Sequence, residues 1–429
     1  HVGHARGAVL GSTLANILSA AGYSVTKEYY INDAGNQMDA FYNSVHTRYL
    51  QLLGETREMP ENSYEGEYIK EIAAEIIQSD GEAFASSSPT EDSNLKIREI
   101  GLVAKDMMLQ EISKDLIDIG VDFDNWFSES YLFQSQEYEE AIHLLRSQNY
   151  LSEREGALWF NSNIEGGEDE PDDRDSVVIR SSGEPTYFAS DIAYHHNKFL
   201  KRNFGQVINI WGADHQGHVA RMKSAVQALG INSDSLTILI SQLVTLKRGN
   251  ELVRASKRTG DFVTLRELVE DVGLDACRFF FLTRAASTHM DFDLELAKKE
   301  SSDNPVYYVQ YAHARISNII KLASERGLDL TTGNLELLNN PNEIHLIRTM
   351  LQLPELVNQS ARVFEPHHLP HYAVALSTAF HSFYENCRVV SANEEDYEIS
   401  LARLKLVQAT QVVLQRCLQL MGMNAPESM

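Results

Sequence analysis

The first chemical signal is at the start of the chain, His1-Val2-Gly3-His4, where a helical pattern begins. The first N–H groups of a helix lack intrahelical partners, and the dipole favours anions there. Gly3 lets a flat ring approach the backbone. His1 and His4, one turn apart, can point at one group of oxygens. Four residues are also compatible with plain capping. A second signal is Arg254-Ala255-Ser256-Lys257-Arg258-Thr259-Gly260, between a strand and the helix-like Thr264 to Val272. A loop with lysine and glycine can close over a polyphosphate. Lys247 and Arg248 join Arg254, Lys257 and Arg258 in a basic cluster read as an anion site, and the bland alternative for the loop is a solvated basic turn.

Tyr187-Phe188-Ala189-Ser190-Asp191 places a phenol and a carboxylate four apart, on one face if helical. Such a pair suits a guanidinium, which wants a planar carboxylate and tolerates an aromatic neighbour. A buried tyrosine near a helix cap is the structural alternative. Gly212-Ala213-Asp214-His215-Gln216-Gly217-His218 follows the apolar strand Gln206 to Ala213. Open α/β sheets bind ligands at the carboxyl ends of their strands. Asp214 and His215 are therefore candidates for contact with a nucleotide or amino acid, unless Asp214 only caps the next helix. His215 and His218 lack a third ligand, so no protein-bound metal is expected.

Elements must hold these residues in place. Residues 1 to 25 read as a helix with Gly3, Gly7, Gly11 and Ala15 on one face, ended by Gly22. Ser24 to Ile31 reads as a strand. Residues 38 to 54, 65 to 79 and 94 to 119 have helical periodicity, and Gly81 to Ser93 reads as a loop. The strand ending at Ala213, a helix from His215 to Leu229, and a strand from Thr237 to Val244 suggest a doubly wound parallel sheet. From Asn304 onward no strand is convincing, and Leu404, Val407, Leu414, Leu418 and Met421 mark a helical bundle.

Composition narrows the class. The 429 residues carry 37 Lys and Arg against 61 Asp and Glu, a net charge of -24. That argues against coating nucleic acid by charge alone, though not against local basic patches. Much of the acidity lies in Glu165 to Asp175, read as a solvated loop. No apolar run is long enough to span a membrane. Cys277, Cys387 and Cys417 are far apart, without zinc or disulfide spacing, so a reducing cytoplasm is expected.

His1-Val2-Gly3-His4 and Ser256-Lys257, in that order, resemble the two signatures of class I aminoacyl-tRNA synthetases. Arg254 and Ala255 depart from the usual Lys and Met of the second. Longer strings resemble the bacterial arginyl branch: Glu28 to Gln37, Tyr64 to Ile69, Asn304 to Arg315 and Phe383 to Val389. The resemblance covers nearly the whole chain. It implies a Rossmann-like catalytic domain over 1–300, with an insertion at roughly 55–180, and an all-helical anticodon-binding domain over 301–429. It also implies a strand, a turn and a small domain upstream of His1, so the chain is expected to lack an N-terminal region.

The implied reaction is ATP-dependent activation of L-arginine to arginyl-adenylate, then transfer to the terminal adenosine of tRNA(Arg), with activation itself requiring tRNA. On the resemblance, ATP falls to His1, Gly3, His4, Asp214, Ser256, Lys257 and Arg258, with His1, His4 and Lys257 catalytic. Mg²⁺ travels with ATP. Arginine falls to Tyr187, Asp191 and His215. Tyr308, Tyr311, Tyr384 and Met429 are candidates for stacking on anticodon bases, with core packing as the alternative for the aromatics. The family's usual Arg before the final Met is Ser428 here. A monomer is expected. Two other classes stay open on residues alone: an adenylate-forming enzyme that uses no tRNA, and a non-catalytic binding paralogue.

Overall fold

A computed structural model describes residues 1–85, 93–162, 176–249, 251–253, 263–329, 331–391 and 393–429. Helix α1 (Val2–Ala20) leads to β1 (Glu28–Ile31), α2 (Asn36–Leu52), α3 (Glu67–Asp80) and α4 (Ser93–Asp118). Next come β2 (Asn125–Ser128), α5 (Glu129–Gln134), α6 (Glu137–Ser147), and strands β3 (Leu151–Arg154), β4 (Ala157–Phe160) and β5 (Ser176–Ile179). Then follow α7 (Tyr187–His196), β6 (Val207–Gly212), α8 (Val219–Ala228), β7 (Leu236–Ser241), β8 (Val244–Arg248) and β9 (Glu251–Leu252). The α/β part closes with α9 (Leu265–Val272), α10 (Leu274–Leu282), β10 (Met290–Asp293) and α11 (Leu294–Lys298). The rest is helical: α12 (Pro305–Glu325), α13 (Pro341–Met350), α14 (Leu353–Val363), α15 (His368–Asn386) and α16 (Tyr397–Leu420).

Three strand pairs are parallel: β1 with β2, β6 with β7, and β8 with β10. Such pairs need crossovers, and α8 supplies the one between β6 and β7. The helical segments expected over 38–54, 65–79 and 94–119 are present to within two residues at each end, while the one read over 1–25 ends at Ala20. Three boundaries differ. The strand expected from Ser24 begins only at Glu28, because the ladder's other strand starts at Asn125, whose N–H already bonds to Lys27 O. The helix expected from His215 starts as a 3-10 turn, Ala213–His218, with no buried residue to press it onto the core. The strand expected from Thr237 to Val244 is two strands, β7 and β8.

Helix α1 is central because it packs on the sheet and on the helical bundle at once. Val9, Leu10, Leu14 and Ile17 are buried in the same core as α10, α12, α15 and α16. On its sheet-facing side, Gly7 and Gly11 lie against Ile210 of β6. A Cβ at Gly11 would come within 2.9 Å of the Ile210 side chain, so the glycines permit the close approach.

Two buried arginines fix α1. Arg6 donates to the carbonyls of Gln242, Thr288 and Ala285 at 2.8–3.0 Å. Arg278 on α10 donates to the side chains of Ser12 and Thr13 on α1. It also donates to Ile119 O and Gly120 O just past α4, and to Met421 O at the end of α16. Among the described residues neither arginine is paired with a carboxylate. For Arg278 the negative ends of α4 and α16 take that part. Gly422, at φ 70, leaves room for the guanidinium; a Cβ there would lie 2.5 Å from it. Arg278→Met would leave several enclosed carbonyls without donors and should cost about 3 kcal/mol of stability. Urea unfolding checks this, and an unchanged midpoint would contradict it.

Candidate active site

The helix that starts the chain presents its first turn at the carboxyl end of β6. His1 is the N-cap of α1, and its Nδ1 accepts from Gly3 N–H at 3.2 Å. The His1 and His4 rings stack with centroids 3.8 Å apart. A Cβ at Gly3 would meet the His1 ring at 3.1 Å, so the glycine keeps that ring in place. Desolvation lowers the pKa of His4, while nearby Asp214 works against the shift. His4 thus lies in the field of Asp214 across the end of the sheet.

From Asp214 contacts run on as far as Arg221. The Asp214 carboxylate is 3.4 Å from His215 Nε2. His215 stacks edge-on with His218 at 5.6 Å, and Arg221 of α8 bonds to His218 Nδ1. Arg221 in turn lies in the field of Asp191 on α7. The Nδ1 atom of His218 is therefore engaged by Arg221. Among the described residues, the group that gathers three metal-type donors is Glu365, His367 and His368, at the turn into α15, where Glu365 and His367 line a cavity together with Gln216.

Helix α7 carries the candidate substrate pair. Tyr187 and Asp191 are one turn apart, as the spacing suggested. The Tyr187 ring is exposed, with its hydroxyl 3.4 Å from Gln37 Oε1 on α2. Asp191 is set deeper. Burial pushes its carboxyl up to about 7, Lys198 and Arg221 pull it down, and Glu129 adds to the rise. Glu129 is itself buried and raised, by desolvation and by Asp33. Asp33 accepts from Ser128 Oγ, Ser130 N–H and Lys105 Nζ. Three carboxylates therefore crowd one enclosed region, a setting that favours an incoming cation.

Beneath α7, Glu28 of β1 takes both guanidinium nitrogens of Arg202, along with the Tyr194 hydroxyl and Asn125. Sequence reading missed Glu28, Glu129, Lys198, Arg202 and Arg221 as site residues. None has a local signature, because each acts on a partner distant in sequence.

Other candidates fall elsewhere. Arg254, Ser256, Lys257, Arg258 and the acidic Glu165 to Asp175 lie outside the described residues. Lys247 pairs with Asp291 at 2.5 Å, and Arg248 lies between Asp271 and Glu295. Both are spent on carboxylates and do not form a free anion site. In the helical part, Tyr308 and Tyr311 flank His381 at 4.9 and 6.2 Å, and Arg315 lies over the rings of Tyr311 and Tyr384. These three tyrosines form one aromatic–cationic patch. Met429 is exposed.

Comparison with known proteins decides the family. A model for the catalytic domain of class I (R) tRNA synthetases matches residues 1–290, and one for the DALR anticodon binding domain matches 309–429. The chain belongs to the class I arginyl-tRNA synthetases. It is 55% identical over 429 residues to the arginine–tRNA ligase of Dehalococcoides mccartyi strain CBDB1, covering all of this chain and 75% of that one. It is 47% identical to the Carboxydothermus hydrogenoformans ligase, again covering 75% of it. A solved structure assigned as the arginyl-tRNA synthetase of Campylobacter jejuni aligns with TM-score 0.88 and 35% identity, over 100% of this chain and 90% of that one. As an arginyl-tRNA synthetase, the chain uses ATP to activate arginine and joins it to tRNA. The Rossmann-like α/β part followed by a helical bundle is the fold read from the sequence. No helix of the described residues is long and apolar enough to cross a membrane.

The Glu28 cluster yields a test. Burial alone would raise Glu28, but hydrogen bonds from Arg202, Tyr194 and Asn125 hold it below its usual value. A lowered folded-state pKa gives stability that is present above the unfolded value and is lost as pH falls through the folded one. Glu28→Gln should therefore cost about 3 kcal/mol at neutral pH, since Arg202 is left partly buried without its counter-charge. The deficit should shrink in acid. Urea titrations at both pH values measure it, and a deficit independent of pH would contradict it.

Proposed function

We propose that the junction of α1, the end of β6, and α7 is where ATP and arginine meet. The observation that carries this reading is the placement of these groups together: His1 and His4 stack beside the field of Asp214, contacts run from Asp214 through His215 and His218 to Arg221, and Arg221 lies in the field of Asp191. His1, Gly3 and His4 take the nucleotide phosphates at the helix start, with Asp214 beside them. Tyr187 and Asp191 take the guanidinium, with His215 between the two substrates. Ser256, Lys257 and Arg258 act from the second signature on the departing pyrophosphate. Mg²⁺ comes bound to ATP.

The arginine carboxylate is already ionised, so the first step needs no general base. Its oxygen attacks the α-phosphorus while the bond to pyrophosphate breaks. Catalysis is then alignment plus stabilisation of charge on the phosphates. The terminal adenosine hydroxyl of tRNA next takes the arginyl group, and AMP leaves. Residues 1–300 form the catalytic unit, with roughly 55–180 inserted, and 301–429 bind the anticodon stem. Tyr308, Tyr311, Tyr384 and Met429 stack on splayed bases there. The enzyme works as a monomer in the cytoplasm.

Replacing Asp191 tests the assignment. An amide supplies no charge to a guanidinium, and breaking such a pair costs on the order of 3 kcal/mol when enclosed. Asp191→Asn should therefore raise the KM for arginine about a hundredfold and leave that for ATP near the parent value. Equal losses for both substrates would show that Asp191 is structural.

A further inference from the structure

Directly after α7 the chain forms a short π-helix, Asn197–Lys201. Such turns are uncommon and tend to occur where a side chain must be re-aimed. Here Asn197, Lys198 and Phe199 are all buried. Lysine is seldom enclosed without a partner that needs it. The Lys198 ammonium lies 3.9 Å from the centroid of the Tyr194 ring and donates to Asn209 Oδ1 on β6 at 3.0 Å.

That bond orients everything beyond it. With Asn209 Oδ1 accepting from Lys198, the amide nitrogen points at His195 Nε2, 2.8 Å away. Asn209 can only donate there, so Nε2 carries the lone pair and the proton sits on Nδ1. His195 Nδ1 in turn lies 2.7 Å from the main-chain carbonyl of Asp191 and donates to it. Burial, followed by the charge of Lys198, lowers His195 well below its usual value and keeps the ring neutral, as this one-way relay requires. Lys198 therefore reaches Asp191 by two routes, a directed chain of hydrogen bonds and the field of its charge.

We propose that Lys198 is a positioning residue for arginine recognition: from behind α7 it holds Asp191 in place and favours its ionised form while the pocket is empty. This rests on the assignment of Asp191 to the substrate guanidinium. The physical need is plain. A carboxylate enclosed beside Glu129 is pushed towards its neutral form, and a neutral acid cannot receive a guanidinium. Arg221, the other cation near Asp191, is also engaged with His218. Lys198 does not compete with the substrate, because its donors are turned to Asn209 and the Tyr194 face.

The groups around this pair set the expected pH behaviour. Asp191 faces Glu129 of α5, Arg221 of α8, Tyr30 of β1, and Lys198. Lys198 faces Glu28 of β1, Arg202 and Asp191. Burial lowers Lys198 to about 7, Glu28 and Asp191 oppose this, and Arg202 adds to it. Removing the Lys198 charge takes away a cation that lowers Asp191, so the Asp191 pKa rises further. The fraction ionised near neutrality then falls. In alkali Asp191 is ionised with or without Lys198, so the difference closes.

The test is the KM for arginine in tRNA arginylation as a function of pH, for the parent chain, Lys198→Met and Lys198→Gln. The KM for ATP serves as control. Both variants should raise the arginine KM about fivefold at pH near 7 and about tenfold in the acid limb, as a shift of about one unit requires. The gap should close by about pH 9, with the ATP KM unmoved throughout. Lys198→Gln, which keeps a donor for Asn209, guards against a Met variant that does not fold. A gap of equal size at both pH values, a parallel loss for ATP, or no gap would overturn the proposal. Asp191→Asn measured alongside separates the two claims. An unaffected arginine KM in that variant overturns the guanidinium assignment. An affected one with no pH-dependent gap for Lys198 overturns the positioning role alone.

Discussion

Two guanidiniums buried without carboxylates hold the helix on which the active site is built. Arg6 and Arg278 spend their donors on main-chain carbonyls and two hydroxyls, and these come from segments far apart in sequence. A carboxylate partner would satisfy one arginine from one place. Carbonyls satisfy it from several, so each guanidinium ties together chain segments that are distant in sequence. Arg278 joins α1, the end of α4 and the end of α16. The first turn of α1, where His1 and His4 stack, is thus located with respect to both the sheet and the helical bundle.

The pocket on the other side uses charge in the opposite way. Around α7 the enclosed groups are carboxylates, Asp191, Glu129 and Asp33, with cations placed at the rear and flank. Glu28 with Arg202 forms a closed ion pair, and Lys198 is turned to Asn209. The negative field that remains open belongs to Asp191 and its neighbours. A cationic side chain is the ligand that such a field admits at least cost, and this supports the proposal that arginine is received there.

The sequence made part of this legible. The helix start at His1, the strand Val207–Gly212, the glycines at 7 and 11, and the helical bundle after Asn304 all follow from local spacing, which short-range physics reads well. Tyr187 and Asp191 became candidates because their spacing of one turn was read together with the family resemblance. Arg278 and Lys198 were not visible. In sequence a buried cation looks like a surface one, and only long-range contacts distinguish them. Glu28, Glu129 and Arg221 escaped for the same reason. The start of β1 was misjudged because Ser24 to Lys27 has strand-like composition but no partner to pair with. The turn after Gly212 tightened to 3-10 because its six polar and small residues have no core face.

The central claim is that the recognising carboxylate is enclosed and titrates near neutrality until a guanidinium reaches it. Carboxyl-selective ¹³C NMR of Asp191, assigned with the Asp191→Asn variant, measures this directly. Without ligand the midpoint should lie at about 7. Arginine should move it well down, and ATP alone should leave it in place. A ligand-free midpoint in the ordinary aspartate range, or one that ATP shifts and arginine does not, would contradict the account.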